Sequence, residues 1–440
     1  MQVIKKKLKG TKLYGILRNV KRKCSTVHRN IYSYFASKYF NSFLMKSVEE
    51  KVAAKAHNGE QINIGFVVWN TSMWKYESLY HAFEENEHFN PFIIFHPNPG
   101  NSSDVREKAL IELTNYFDPK KFNIYEDVQW NDINLEFDDN LKLYADILFL
   151  TQLPNSNLPV KSMTNFLLCY CMYGFAVFCT RENQNRITDN ILWKYFVESP
   201  VLIEEARKVT FNKAVNRVYT GGIFGDTLAG KEFIHGDPWK KVGDAYKRVI
   251  WAPHFSIRTD NDFHLSNFLT MNEYMMKIAD DYDGKIQFAF KPHPFLYPSL
   301  CRDDCWGKEK TDRYYSWWAE KDNCQLETGD YVDLFHASDA IVHDSASFII
   351  EYLFEDKPGL YLDTANSDRG FCTMAKEGLK CYYRGSGEQD IRGFLDHIVI
   401  EGHDEMKSQR EHYYEEYLVP PNGKTAAENI VSDIERSLGI

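Results

Sequence analysis

The 440-residue chain has no run of 18 apolar residues, so no membrane-spanning helix is expected. Its most apolar stretch, residues 166–178, is broken by Gly174 and reads as a buried strand entering a loop. Glycine and proline are scarce (24 and 15), which excludes collagen-like and low-complexity architectures. The nine cysteines lack any partner Cys/His pair at zinc spacing, and Cys301 and Cys305 stand without one. An odd number of cysteines in a chain this long reads as reduced thiols of a cytosolic protein. The basic start is not followed by an apolar core and a small-residue cleavage site, so no secretory signal is expected.

Acidic residues are missing from residues 1–48, which hold 12 of the 52 lysines and arginines. All 62 acidic residues lie beyond, beside the other 40 basic ones. A basic arm on an acidic body points to a polyanion, either anionic lipid or nucleic acid. Leu13, Ile16, Leu17 and Val20 recur at helical spacing, as do Ile31, Phe35, Tyr39 and Phe43. Basic amphipathic helices over residues 4–46 are the pattern of a peripheral membrane anchor. The body shows no basic, aromatic-interleaved face, so nucleic acid is not expected. A polar linker is expected over 47–60, which makes residues 1–58 an arm and its linker.

From residue 59 onward, apolar strand-like runs alternate with helical patterns. Residues 62–69, 89–99 and 145–152 read as strands, 165–178 as a strand running into a functional loop, and 215–228 as a strand ending in a Gly-rich turn. Alternation of this kind means parallel sheets covered on both faces. The pattern restarts after a polar stretch, 229–247, with strands over 248–255, 285–295, 340–345 and 358–363 and a final helix. The expectation is an α/β, GT-B-like chain of two facing Rossmann-like domains, 59–228 and 248–440, joined by the linker 229–247. The final helix is expected to cross back to the first domain. Ligands of such sheets bind at the carboxyl ends of strands, here in the cleft between the halves.

Three second-half strands end in residues that carry chemistry: His254 after Trp251-Ala252-Pro253, Lys291-Pro292-His293-Pro294, and His343-Asp344-Ser345-Ala346-Ser347. Parallel strands present these ends on one rim. The third leads into a helix whose free N–H groups suit a phosphate. Lys291 and His293 are expected to add positive charge, and Glu351, one or two turns into the helix, could reach a ribose.

The order of these motifs, with the closing segment 422–434, resembles the CDP-glycerol glycerophosphotransferase family. Its members build teichoic acids and related capsular or wall polymers on the cytoplasmic face of bacteria. The resemblance covers residues 239–434 well and 62–227 more weakly. It implies a GT-B fold, a CDP-linked donor in the second half and a lipid-linked acceptor held partly by the first. Carried over by motif, His293 is similar to the family histidine after the lysine-x-His-Pro strand. Asp344, Ser345 and Ser347 match the element that holds the donor phosphates, with His343 and Ser345 replacing the usual Thr and Tyr. His254 and Ser256 stand where the family has Thr and Arg, with Arg258 two residues further. The family's Trp-His-Gly-Thr loop, which supplies a catalytic histidine, has no counterpart: Tyr173 and Gly174 occupy that place. With an ordinary pKa near 10, Tyr173 is a poor base at neutral pH.

The implied reaction moves a polyol phosphate, glycerol phosphate in the first instance, from a CDP-linked donor to an acceptor hydroxyl. The catalytic candidates are His293, Asp344 and Tyr173. On the donor side stand His254, Lys291, Ser345, Ser347, Glu351 and Arg258. On the acceptor side stand Trp69, Glu77 with its neighbour His81, and Gly174. No resident metal is expected, with Mg²⁺ as an optional companion of the diphosphate. The expected location is the cytoplasmic face of the cell membrane, held by residues 1–48. A GT-B glycosyltransferase using a nucleotide sugar is the alternative.

Overall fold

The computed structural model describes residues 34, 45–97, 101–125, 144–153, 165–180, 184–230, 233–243, 246–258, 264–364, 368 and 370–440. The helices expected over 4–46 therefore lie, up to residue 44, outside the described residues apart from Tyr34. Residues expected to be a linker are instead helical: Met45–His57 is one helix, with Met45, Val52 and Ala56 buried and the Lys55 ammonium 2.5 Å from Asp146. The segment looked like a linker because only that narrow stripe is apolar.

Among the described residues, twelve parallel strands form two six-stranded sheets. The first has the order β2-β1-β3-β4-β5-β6, from β1 (Ile62–Val68), β2 (Phe89–Phe95), β3 (Ile147–Leu150), β4 (Leu167–Cys171), β5 (Lys194–Val197) and β6 (Arg217–Tyr219). The second has the order β12-β11-β10-β7-β8-β9. Its strands are β7 (Lys247–Ala252), β8 (Ile286–Phe290), β9 (Cys324–Leu326), β10 (Ala340–His343), β11 (Gly359–Leu362) and β12 (Tyr383–Gly385). The central strands are buried on both faces, which is why they read as unbroken apolar runs rather than alternating ones. Gly65 is the one small residue in β1, and a Cβ there would meet Leu148, Ile94 and Phe92 at 2.7 to 2.9 Å. The fold is GT-B-like: two Rossmann-like α/β halves, each with helices on its sheet. In the second sheet strand order reverses between β7 and β10, the place where such sheets take ligands.

The polar stretch after Gly230 is pinned to the second sheet. Trp239 is buried, the Lys240 N–H donates to Gln325 Oε1 at 2.7 Å, and Gln287 Nε2 donates to the Lys240 carbonyl at 2.7 Å. The last helix, Ala426–Leu438, returns to the first half. Its buried residues Ala427, Ile430, Val431, Ile434 and Leu438 join the core of the first sheet. Thr425 and Glu428 cap it reciprocally, and Gly439 ends it at φ 74°. Asp226, from the first half, accepts the N–H groups of Ala426 and Ala427 at 2.8 and 2.9 Å. These two donors have no partner within the helix, so the carboxylate fixes where the returning helix docks. Asp226→Ala should destabilise the protein by about 1–2 kcal/mol in urea unfolding, and Asp226→Asn by less, because one acceptor survives.

Candidate functional site

The rim foreseen at the carboxyl ends of β8, β7 and β10 is present. Ladder pairs Trp251 with Phe290 and Ala252 with His343, so the segments leaving those three strands lie side by side. Asp344 holds them there. Its Oδ1 accepts the His254 N–H at 2.5 Å and its Oδ2 the Asn267 N–H at 2.6 Å. Burial pushes its carboxyl up to about 7, against the pull of these donors, which favour the ionised form. Expected from the sequence to be catalytic, Asp344 is buried with both oxygens accepting backbone N–H groups, the geometry of a brace rather than of a group open to substrate.

His254 is buried, with Nδ1 2.8 Å from Ser256 Oγ and its ring 5.1 Å from that of His293. Burial and His293 hold its pKa down at about 3, so it is neutral. His293 is half-buried, and its Nδ1 accepts the Phe295 N–H at 3.1 Å. The proton of the neutral ring therefore sits on Nε2, which is left as a donor. Burial and Lys291 lower the His293 pKa to about 4. This corrects the expectation that His293 adds positive charge: it offers a neutral N–H. Lys291 is buried and donates to the Gly329 carbonyl at 2.8 Å. Burial lowers its pKa to about 8, with Asp330 and Glu327 opposing and Lys75 assisting the shift. Ser345 is buried, and Ser347 leads into a helix that is short, Phe348–Glu351 followed by the 3-10 turn Tyr352–Glu355. Neither serine caps it by its side chain.

The first half meets this rim through the loop after β4. A Cβ on Gly174 would stand 3.2 Å from Glu351 Oε1, so glycine permits close approach of the two halves there. Glu351 Oε2 accepts the Tyr331 hydroxyl at 2.8 Å. Burial raises its carboxyl to about 7, partly offset by Tyr331 and Lys75. Tyr173 lies beside it, and burial together with Glu351 lifts the phenol further from neutrality. The loop then pairs across the halves: Cys372 N–H donates to the Val177 carbonyl at 2.8 Å and Cys179 N–H to the Gly370 carbonyl at 3.2 Å. Glu198 accepts the Ala176 N–H at 2.9 Å, and Glu205 the Thr373 N–H at 2.9 Å. Phe175, Val177, Phe224 and Leu228 share one core with Ile349 and Leu353 of the second half.

Other candidates stand elsewhere. Arg258 is exposed and pairs with Asp304 at 3.4 Å. Trp69 is buried against His96, edge to face at 6.3 Å. Glu77 is held by Lys120 at 3.0 Å, and His81 by Glu84 at 2.9 Å. Sequence reasoning missed Lys75, Phe224 and Tyr331. The Lys75 ammonium lies 4.7 Å from the Phe224 ring and 5.3 Å from that of Tyr331. Its only signal in the sequence was its place in the turn after a strand end. Among the described residues no three His, Cys, Asp or Glu side chains are grouped to hold a metal ion, and the described cysteines are free thiols. No described helix is long and apolar enough to cross a membrane.

Two Rossmann-like halves with parallel sheets define a GT-B-like fold, and solved structures share it. The wall teichoic acid polymerase TagF is similar over 96% of this chain and 98% of its own, at 13% identity and a TM-score of 0.55. A TagF crystal soaked with CDPG is similar over 93% of this chain and 98% of its own, at 11% identity and 0.52. A UDP-GlcNAc 2-epimerase from Neisseria meningitidis, bound to UDP-GlcNAc, is similar over 85% and 99%, at 13% identity and 0.55. At these identities the likeness is one of fold. No protein-family model and no curated protein matches the chain.

The titrating groups at the cleft predict how an anion should bind. Glu351 gains a negative charge near pH 7 and Lys291 loses its positive charge near pH 8. Affinity for a small anion that does not itself titrate here, such as sulfate, followed by calorimetry from about pH 6 to about pH 9.5, should fall in two limbs. The upper one should approach about tenfold per pH unit, the slope of one proton. Lys291→Met should weaken binding at pH 7 and remove that upper limb.

Proposed function

We propose that the protein is a transferase that moves a polyol phosphate, most simply glycerol phosphate, from a CDP-linked donor to a hydroxyl of a lipid-linked acceptor in bacterial teichoic acid or capsular polymer synthesis. The observation that carries the proposal is the rim at the β7/β10 switch point. There the neutral His293 presents Nε2–H beside Lys291 and the amides leading from Ser345 into the helix. The fold shared with TagF, including its CDPG-soaked crystal, supports the reading. The acceptor oxygen attacks the β-phosphorus, the bond from that phosphorus to the bridging oxygen breaks, and CMP leaves. Donors fixed before the reaction stabilise the charge that grows on the leaving phosphate. Glu351 is the group we assign to take the hydroxyl's proton, since its carboxyl is poised near neutrality while Tyr173 is held far above it. No resident cofactor is needed for this step, and EDTA tests whether Mg²⁺ accompanies the diphosphate.

A second reading, a GT-B glycosyltransferase using a nucleotide sugar, is favoured by the lack of a histidine in the 171–175 loop and by the UDP-sugar epimerase neighbour. A thermal-shift panel of CDP-glycerol, CDP-ribitol, CMP and UDP-sugars separates the two. The proposal expects the cytidine compounds to stabilise, and stabilisation by UDP-sugars alone would overturn it. His293→Ala should reduce transfer at saturating donor by about 100-fold or more, in line with loss of a preorganised donor. Near-normal turnover would remove His293 from the mechanism.

The basic arm completes the proposal as a membrane contact that brings the cleft to a lipid-linked acceptor. Each basic residue near an anionic leaflet contributes roughly 1 kcal/mol, screened within about 8 Å at physiological salt. A truncation that tests this must stop before Met45, which is buried in the body. Removal of residues 1–44 should release the protein from anionic liposomes while leaving donor binding intact. Continued co-sedimentation at physiological salt would show that the arm is not the anchor.

A further inference from the structure

Lys75 is a residue of the first half whose ammonium is aimed at the second. It follows the turn Thr71–Met73, which Asn70 caps at the carboxyl end of β1. Its side chain is only 14% exposed, yet it makes no hydrogen bond to the protein. Its nearest anion, Asp330 Oδ1, stands at 3.7 Å, too far for a hydrogen bond, on a side chain that is itself largely in solvent. Two aromatic faces, Phe224 and Tyr331, flank it, and the Glu351 carboxylate, already hydrogen-bonded to Tyr331, lies near enough to feel its charge. An ammonium has three donors, and taking it out of water without acceptors is unfavourable.

A second ammonium approaches the same ring. Lys291 Nζ lies 5.7 Å from the centre of Tyr331 and has one hydrogen bond, to the Gly329 carbonyl. The Tyr331 hydroxyl is fixed by Glu351, so both ammoniums stand near one fixed ring. One lysine comes from each half, and together they hold more donors than the surrounding protein accepts. We propose that Lys75 and Lys291 form a seat for a phosphoryl group across the cleft, with Lys75 as the first half's contact to it and Asp330 as the internal counter-ion that the ligand displaces. Two sources have this chemistry: the donor's diphosphate and a phosphate on the acceptor's growing end. Only the identity of the ligand rests on the donor reading above. The seat itself is a statement about anions.

Calorimetry on the full chain tests it with CDP, pyrophosphate, CMP and glycerol 3-phosphate as probes, against wild type, Lys75→Met and Lys75→Arg. A donor-side seat predicts that Lys75→Met weakens CDP and pyrophosphate roughly tenfold to hundredfold, the loss expected for a hydrogen bond to a charged group, and CMP far less. Lys75→Arg should keep most of the affinity. Loss confined to glycerol 3-phosphate would support the seat and assign it to the acceptor's phosphate. Wild type that binds pyrophosphate but no cytidine nucleotide would support the seat and overturn the CDP donor. If Lys75→Met folds as wild type by circular dichroism and binds every probe equally well, Lys75 is a latch between the halves and the proposal is wrong. Should Lys75→Met not fold, a Lys75→Gln variant with the same readout decides it.

Discussion

The geometry of the rim depends on one buried carboxylate. Asp344 sits where β10 ends, and its two oxygens reach backward in sequence to the amides of His254 and Asn267. Those amides stand on either side of the segment that leads from β7 to the helix Phe268–Asp281, so one side chain ties both of its ends to β10. A carboxylate that accepts two backbone N–H groups in a desolvated place is worth more than a neutral acceptor, and leaving those donors unpaired would be costly. His254, Ser256 and the neighbouring His293 ring inherit their positions from this brace. The His293 N–H donates to the Pro253 carbonyl at 3.1 Å, continuing the β7–β8 contact past the strand ends.

The two halves are held together unevenly. On one side lie an apolar core shared by Phe175, Val177 and Phe224 with Ile349 and Leu353, the paired segments 177–179 and 370–372, and the returning helix docked on Asp226. At the edge of that same core, where Phe224 and Tyr331 meet the Lys75 ammonium, lie the polar groups Lys75, Asp330 and Lys291. A dry, close-packed contact resists sliding, while a polar contact with a solvent-facing partner exchanges readily for a ligand. Exchange of the Lys75–Asp330 contact would therefore leave the packed core intact.

Much of this was legible in the sequence, for identifiable reasons. Ile62–Val68, Phe89–Phe95 and Ile286–Phe290 are buried on both faces, so their composition alone marks them as strands of covered parallel sheets. Lys194–Val197, Cys324–Leu326 and Tyr383–Gly385 escaped because three or four residues carry no periodicity. His254, Lys291, His293 and Ser345 could be grouped because parallel strands deliver their ends to one edge. Their charge states could not: the neutrality of His293 follows from the Phe295 N–H and from burial, both properties of the folded chain. Arg258 was grouped with them only by sequence distance, and Asp304 draws it outward. Lys75 and Tyr331 lie about 250 positions apart on different halves, and no local pattern announces that they meet.

The first half poses the sharper chemical question. A tyrosine stands where the resembling family has its histidine, and the fold has not made that tyrosine a base: burial and Glu351 both oppose its ionisation. The same burial has the opposite consequence for Glu351. Desolvation disfavours the charged form of any acid, which removes a phenol from use at neutral pH but brings a carboxyl into the range where proton transfer is efficient. Gly174 is what lets the two meet, since any Cβ there would press on the Glu351 oxygen. A single physical effect, exclusion of water where the halves touch, therefore shifts both acids upward, the phenol away from neutrality and the carboxyl toward it. The loop keeps the task of closing over that carboxylate.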